Sequence, residues 1–139
     1  MQESRTRDVN VVKTEQLKSP VDLVNELPIT PESEKTVIDG RRQIREILEG
    51  RDPRMLMVVG PCSIHDEKAA LEYADRLVDI SEKLKDRLLI VMRVYFEKPR
   101  TTVGWKGLIY DPNLDDTFDI ATGLTKARSL MLKITGKGM

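Results

Sequence analysis

The sequence predicts an α/β fold built on parallel strands. Two continuous apolar runs of strand length, Met55–Val59 and Leu88–Met92, lie about 33 positions apart. The segment between them has helical periodicity with Asp66 as a candidate N-cap, so the order matches a right-handed βαβ unit. Strands that lack polar alternation are typical of parallel sheets, so we expect both faces of these strands to be buried.

Two helices are expected before the first strand. Ser19 suits an N-cap, with Pro20 at the first helical position and Asp22 at the spacing of a capping box. Thr30 and Pro31 repeat this pattern for a second helix, which we expect to reach about position 49 and stop at a glycine. One face of the second helix is predicted to carry Val37, Arg41, Ile44 and Leu48.

Two further amphipathic helices and one long loop complete the predicted elements. The helix after Asp66 should end near Lys85, and its apolar stripe consists of Ala70, Tyr73, Ala74, Leu77 and Leu84. Residues 95–116 lack periodicity and are too polar and too rich in Gly and Pro for the core, so this loop is expected to be functional or disordered. The last helix is predicted from Ile120, Leu124, Ala127, Leu130 (or Met131) and Ile134.

Composition excludes several classes of protein. The 139 residues contain 23 basic and 23 acidic side chains, and this balance argues against bulk electrostatic binding of nucleic acid. With one Cys and one His, neither an intrachain disulfide nor a zinc finger can form, and a cytoplasmic location is expected. No secretory signal or membrane-spanning run is present in the sequence.

The predicted order of elements suggests part of a larger sheet. Two parallel strands cannot cover several helices, and the last helix should lead to a third strand. We therefore expect this chain to be the N-terminal portion of a larger α/β protein. The alternative is a small complete α/β domain.

Chemically active residue types follow both predicted strands. Cys62 comes just after the first strand, and Arg93, Lys98 and Arg100 follow the second. The ends of parallel strands are where ligands bind in such folds, and three cations suit a phosphate or a carboxylate. The alternatives are a small buried Cys62, solvated basic side chains and His65 as a residue that merely starts a helix. No P-loop or G-x-G-x-x-G pattern occurs, and taken alone the residues support no more than an anion-binding α/β protein, with a small phosphate-binding α/β domain as an alternative.

Two longer motifs carry a family resemblance. GPCSIHD at residues 60–66 and MRVYFEKPRTTVGWKGLIYDP at residues 92–112 resemble the bacterial 3-deoxy-D-arabino-heptulosonate 7-phosphate (DAHP) synthases that have a regulatory N-terminal extension. The resemblance is weak over residues 1–50 and strong over residues 51–116. It covers the opening third to two fifths of the family's length.

The resemblance implies a fold and a reaction. Residues 51–139 would be the first βα units of a (β/α)8 TIM barrel, and residues 1–50 a mainly helical extension for oligomer contacts and feedback regulation. The family condenses phosphoenolpyruvate with erythrose 4-phosphate and releases phosphate, the first step of the shikimate pathway to aromatic amino acids. It requires a divalent metal ion, commonly Mn, with Fe, Co or Zn as alternatives.

The resemblance also assigns roles by position. Cys62 matches a metal ligand, Arg93 matches a residue that holds phosphoenolpyruvate, and Lys98 matches the lysine beside that substrate and the reacting aldehyde. Arg100 and Thr101 match residues that hold erythrose 4-phosphate. His65, within the first motif, is not assigned as a metal ligand, and Tyr95 and Trp105 are expected to be structural.

Further expectations concern partners and activity. The family implies an aromatic amino acid as inhibitor and a homo-oligomer at full length, with no nucleic acid and no membrane as partner. The other metal ligands of the family lie on later strands, so we expect residues 1–139 alone to be inactive and unstable. The alternative function is a truncated, non-catalytic interaction or regulatory module.

Overall fold

A computed structural model of the chain describes residues 6–7, 9–11, 13–98 and 103–139. Six elements follow in chain order: α1 (Pro20–Glu26), α2 (Pro31–Leu48), β1 (Met55–Val59), α3 (Glu67–Leu84), β2 (Leu88–Met92) and α4 (Ile120–Gly136). Their order and type agree with the sequence-based prediction. None of the helices in the described part of the chain combines the length and hydropathy needed to cross a membrane.

The two strands form a parallel pair. The register runs from Met55 opposite Leu88 to Val59 opposite Met92, so both strands end at the same edge of the sheet. The connection through α3 confirms the predicted βαβ unit. This topology brings the segments after Val59 and after Met92 side by side.

Side chains cap the start of each helix. Ser19 Oγ accepts from the Asp22 amide at 3.2 Å, and Thr30 Oγ1 accepts from the Ser33 amide at 3.2 Å. Asp66 and Asp119 cap α3 and α4 in the same manner. The caps predicted at Ser19, Thr30 and Asp66 are confirmed, because these short polar side chains satisfy amides that the helix leaves unpaired.

The core lies between α3, α4, β2 and the long loop. The helix stripes predicted for α3 and α4 supply most of it, although Tyr73, Leu84 and Met131 are exposed, contrary to the prediction. Its buried apolar residues are Ile64, Ala70, Ala74, Leu77, Ile90, Met92, Phe96, Leu108, Ala127, Leu130 and Ile134.

The prediction that both strands are buried on both faces is wrong for β1. Met55 is 64% exposed and Val58 is 61% exposed, whereas Ile90 and Met92 of β2 are buried. The reason is that α3 packs chiefly on β2, and within the described residues β1 has a single strand neighbour. The two-stranded sheet and its helices therefore leave part of the apolar surface of β1 exposed.

The prediction that residues 95–116 contribute nothing to the core is also wrong. Phe96 is 8% exposed and Leu108 is 2% exposed, and the Leu108 amide donates to the Phe96 carbonyl at 2.7 Å. An antiparallel bridge between Glu97 and Gly107 folds the segment back on itself. This long-range pairing buries two apolar residues that have no periodicity along the sequence.

Helix α2 packs against α4. Ser33 is fully buried, and its hydroxyl donates to the Leu132 carbonyl at 2.9 Å. Arg128 Nε donates to the Leu27 carbonyl at 2.7 Å, close to the end of α1. The face predicted for α2 is only partly covered, since Leu48 is 75% exposed and Arg41 is also exposed.

Candidate active site

Backbone contacts hold the two loops after the strands together. The Arg93 amide donates to the Val59 carbonyl at 2.7 Å, and the Ile64 amide donates to the Tyr95 carbonyl at 2.8 Å. A Cβ atom on Gly60 would overlap the Arg93 carbonyl oxygen, so this close approach requires glycine. The loop that carries Cys62 is thereby joined to the segment that carries Arg93.

Arg93 contacts the Cys62 loop through its side chain. Its Nη1 donates to the carbonyl oxygens of Pro61 at 3.0 Å and Cys62 at 3.3 Å. Its guanidinium carbon lies 4.7 Å from the centre of the Tyr95 ring, which is a cation–π distance. Tyr95, expected to be structural, therefore packs its ring against the guanidinium of Arg93, a predicted substrate-binding residue.

Lys98 and Cys62 form the closest pair of predicted site residues. Lys98 Nζ donates to Cys62 Sγ at 2.9 Å, across 36 positions of sequence. This hydrogen bond and the charge of Lys98, aided by Arg93, hold the pKa of the Cys62 thiol below its usual value. Cys62 is exposed in the described structure, so the alternative of a small buried apolar residue does not describe it here.

The backbone of Lys98 is fixed by the hairpin of the long loop. Its amide donates to the Lys106 carbonyl at 2.8 Å, next to the Glu97–Gly107 bridge. Arg100 and Thr101, the residues predicted to hold erythrose 4-phosphate, lie outside the described residues. The described structure thus brings together Cys62, Arg93 and Lys98.

Trp105 and Asp111 organise the return of this loop. Trp105 Nε1 donates to the Asp111 carbonyl at 2.8 Å, and the Trp105 ring meets His65 edge to face at 6.4 Å. Asp111 is 2% exposed, and its carboxylate accepts from the amides of Asp115 and Asp116 at 3.3 Å each. Trp105 packs partly on the core, as expected, whereas nothing in the sequence around Asp111 distinguishes it from an ordinary loop acid.

Within the group of Cys62, Arg93 and Lys98, Cys62 is the side chain of a metal-ligating type. Cys62 carries an exposed thiol with a lowered pKa, and thiolates are soft ligands for divalent transition metals. No group of three or more His, Cys, Asp and Glu side chains that could hold a metal ion exists among the described residues. Cys62 therefore fits as one ligand of a metal site and does not complete one with its described neighbours.

An apolar cavity lies beside the loop that carries Cys62. It has a volume of about 200 Å³, and Ile64, His65, Ala70 and Tyr73 are among the residues that line it. Ser63 Oγ is buried nearby without a hydrogen-bond partner in the described part of the chain. Cys62, Arg93 and Lys98 do not line this cavity, so it is separate from the cationic group.

The Cys62, Arg93 and Lys98 group can bind an anion next to a nucleophilic or metal-ligating sulfur. A guanidinium offers a fork for carboxylate or phosphate, and an ammonium has three donors. Both cations lie at the edge where the parallel strands end, the usual place for ligands in α/β folds.

Comparisons with known proteins identify the family of the chain. Residues 26–136 match the model of the DAHP synthetase I family. A solved structure, a phospho-2-dehydro-3-deoxyheptonate aldolase from Francisella tularensis SCHU S4, superposes with a TM-score of 0.89 at 46% identity. The match covers 94% of this chain and 38% of that one.

Curated relatives give the same result. The Phe-sensitive phospho-2-dehydro-3-deoxyheptonate aldolase of Escherichia coli strain K12 is 53% identical over 132 residues, which is 95% of this chain. The Tyr-sensitive enzyme of the same strain is 47% identical over 139 residues. The chain spans 38% and 39% of the lengths of these two relatives. Since the family model covers most of the sequence, the chain belongs to the DAHP synthetase I family.

Proposed function

We propose that this protein acts as a DAHP synthase, condensing phosphoenolpyruvate with erythrose 4-phosphate and releasing phosphate. The observation that supports it is the grouping of Cys62, Arg93 and Lys98 at the common end of two parallel strands. These residues lie within the two motifs that resemble the family. Such a reaction would begin aromatic amino acid biosynthesis.

Arg93 and Lys98 would bring two anionic substrates together. Opposite charges about 4 Å apart attract by about 1 kcal/mol in water and about 4 kcal/mol near a protein surface, so two fixed cations offset the mutual repulsion of two phosphate esters. Arg93 is already oriented by the Pro61 and Cys62 carbonyls and by the Tyr95 ring. An oriented cation loses little freedom when the ligand binds.

Lys98 would contact the reacting atoms. An ammonium has three N–H donors, and in the described structure one of them is directed at Cys62 Sγ. The others can donate to a substrate carboxylate or to the oxygen on which charge develops. We therefore propose Lys98 as the catalytic residue of this segment, with Arg93 for phosphoenolpyruvate and the motif residues Arg100 and Thr101 for erythrose 4-phosphate.

Cys62 would be one ligand of the metal ion. We propose Mn²⁺, with Fe, Co or Zn as alternatives, and such an ion would supply Lewis-acid polarisation of the aldehyde oxygen. Lys98 and Arg93 favour the thiolate form of Cys62 that a metal requires.

A chimera tests this function. Residues 1–139 would replace the matching segment of the Phe-sensitive E. coli relative, and phosphate release would be measured with both substrates. We expect turnover, and a loss of kcat/KM of about 100-fold or more for Lys98→Ala, the effect of removing one aligned electrostatic donor. Lys83→Ala in the last turn of α3 is the matched control and should retain activity. An inactive chimera, or full activity in Lys98→Ala, would contradict the proposal.

We also propose that residues 1–50 mediate feedback inhibition by an aromatic amino acid in a cytoplasmic homo-oligomer. One relative is named for sensitivity to phenylalanine and another for sensitivity to tyrosine, which supports an aromatic amino acid as the class of inhibitor. Deleting residues 1–18 from the chimera should abolish inhibition and leave turnover intact. Unchanged inhibition would exclude this role for the arm.

A further inference from the structure

We propose that Trp105 is a positioning residue that holds Lys98 opposite Cys62. The importance of this role for catalysis rests on the proposed function. The contacts of Trp105 with its neighbours are independent of that function. The role is distinct from simple packing because Trp105 contacts both loops that form the site.

One contact of Trp105 anchors it to a buried turn. The indole Nε1 donates to the Asp111 carbonyl at 2.8 Å. Asp111 is 2% exposed, its amide donates to the Gly107 carbonyl at 3.0 Å, and its carboxylate binds two amides of the following turn. The indole is therefore tied to a rigid part of the loop that carries Lys98.

The other contact reaches the loop that carries Cys62. The rings of Trp105 and His65 meet at 86° with centroids 6.4 Å apart, a favourable edge-to-face arrangement. His65 lies three positions after Cys62, beyond the Ile64 amide that donates to the Tyr95 carbonyl. Trp105 thus connects the turn at Asp111 with the loop of the thiol.

Lys98 is linked to Trp105 through the backbone. The Lys98 amide donates to the carbonyl of Lys106, the next residue after Trp105, at 2.8 Å. A lysine side chain has a flexible four-carbon stem, so the position of its ammonium depends on a fixed backbone. A shift of Trp105 would move the pairing partner of Lys98 and lengthen the 2.9 Å contact with Cys62.

The reactivity of Cys62 reports this geometry directly, because it is the single cysteine of the sequence. Iodoacetate is an anion and iodoacetamide is neutral, so their rate ratio measures the positive charge beside the sulfur. In the folded chimera that carries residues 1–139, with alkylation of Cys62 followed by peptide mass spectrometry, we expect the ratio at Cys62 to exceed that in concentrated urea by about fivefold, the effect of one opposite charge at about 4 Å in water. The decrease of this ratio in Lys98→Ala measures how much of the preference for the anionic reagent is due to Lys98.

Two variants then test Trp105. Trp105→Phe retains a ring and removes the indole donor, and His65→Ala removes the edge contact at an exposed position. We expect the ratio of the iodoacetate rate to the iodoacetamide rate to fall in both variants toward the value for Lys98→Ala. Combining Trp105→Phe with Lys98→Ala should cause no further decrease. Leu130→Val, a buried change in α4, is the stability control and should keep the wild-type ratio.

Each outcome decides the proposal. Wild-type ratios in both Trp105→Phe and His65→Ala would overturn it, as would a wild-type chain without any preference for the anion. If circular dichroism shows that Trp105→Phe does not fold, His65→Ala decides alone. Alkylation requires no turnover, so an inactive chimera with the expected ratios would contradict the proposed function and leave the positioning role supported.

Discussion

Single residues set the distance between the two strand ends. Gly60 lies where a Cβ atom would overlap the Arg93 carbonyl oxygen and come within 2.9 Å of the Arg93 Cβ atom. Both of these atoms belong to Arg93, whose side chain donates to the Cys62 carbonyl. The smallest side chain is therefore a requirement of the site as well as of the sheet.

We predict that Gly60→Ala destabilises the chain by about 1–3 kcal/mol, the usual cost of overpacking. Gly40→Ala is the matched control, since no atom lies within 4 Å of a Cβ at that position in α2. It should stabilise the helix by about 0.5–1 kcal/mol. Urea unfolding followed by circular dichroism checks both, and equal midpoints for the two variants would contradict the prediction.

The Asp119 cap predicts a dependence of stability on pH. Hydrogen bonds from Thr122 hold the pKa of Asp119 below its usual value of 3.8. A lowered folded-state pKa means that the stabilisation is complete above the unfolded pKa and is lost as the pH falls through the folded value. Asp119→Asn keeps an oxygen acceptor and removes the titration.

We therefore expect the free energy of unfolding of the wild-type chain to fall more steeply than that of Asp119→Asn between about pH 4 and pH 2. Denaturant unfolding at a series of pH values would measure the difference. Parallel curves for the two chains would show that Asp119 contributes no pH-dependent stability.

At the scale of elements, the helices before the sheet are attached to α4. Ser33 of α2 is fully buried and donates to the Leu132 carbonyl. Arg128 of α4 donates to Leu27 at the end of α1. The segment predicted as a regulatory extension is thus joined to the helix that follows the Lys98 loop.

Loss of the buried hydroxyl should weaken this attachment. We predict that Ser33→Ala lowers the free energy of unfolding by about 1 kcal/mol, the net value of one hydrogen bond. Ser81→Ala, at a half-buried position on α3, should have a smaller effect. The comparison uses thermal or urea unfolding, and an equal loss in both variants would argue against a specific contribution of Ser33.

Element boundaries were predictable to the extent that local signals mark them. The caps at Ser19, Thr30 and Asp66 each satisfy amides a few positions away, so the sequence contains the whole interaction. The burial of Phe96 and Leu108 was not predictable, because it depends on the bridge between Glu97 and Gly107. Pairing across a loop leaves no periodic pattern.

At the scale of the whole molecule, β1 exposes apolar surface. Met55 and Val58 are each more than 60% exposed. Further strands of a barrel would cover such a face. We predict that the protein isolated from its own cells contains about 300 residues or more, the usual size of a barrel plus the extension. Intact mass spectrometry tests this, and a mass of 15.9 kDa would contradict it.

We also predict that residues 1–139 alone do not turn over phosphoenolpyruvate and erythrose 4-phosphate. Among the described residues Cys62 has no companions that could complete a metal site. A coupled assay of phosphate release with added Mn²⁺ measures this, with the chimera as the positive control. Turnover by the isolated chain would contradict the prediction.

The sequence by itself determined the βαβ order, the helix caps and the residue types at the strand ends, because periodicity and capping act over a few positions. Only the tertiary structure decided that Lys98 reaches Cys62 across 36 positions and that Trp105 connects their loops. It also decided that β1 remains exposed. These features depend on contacts between distant segments, and such contacts exist only once the chain has folded.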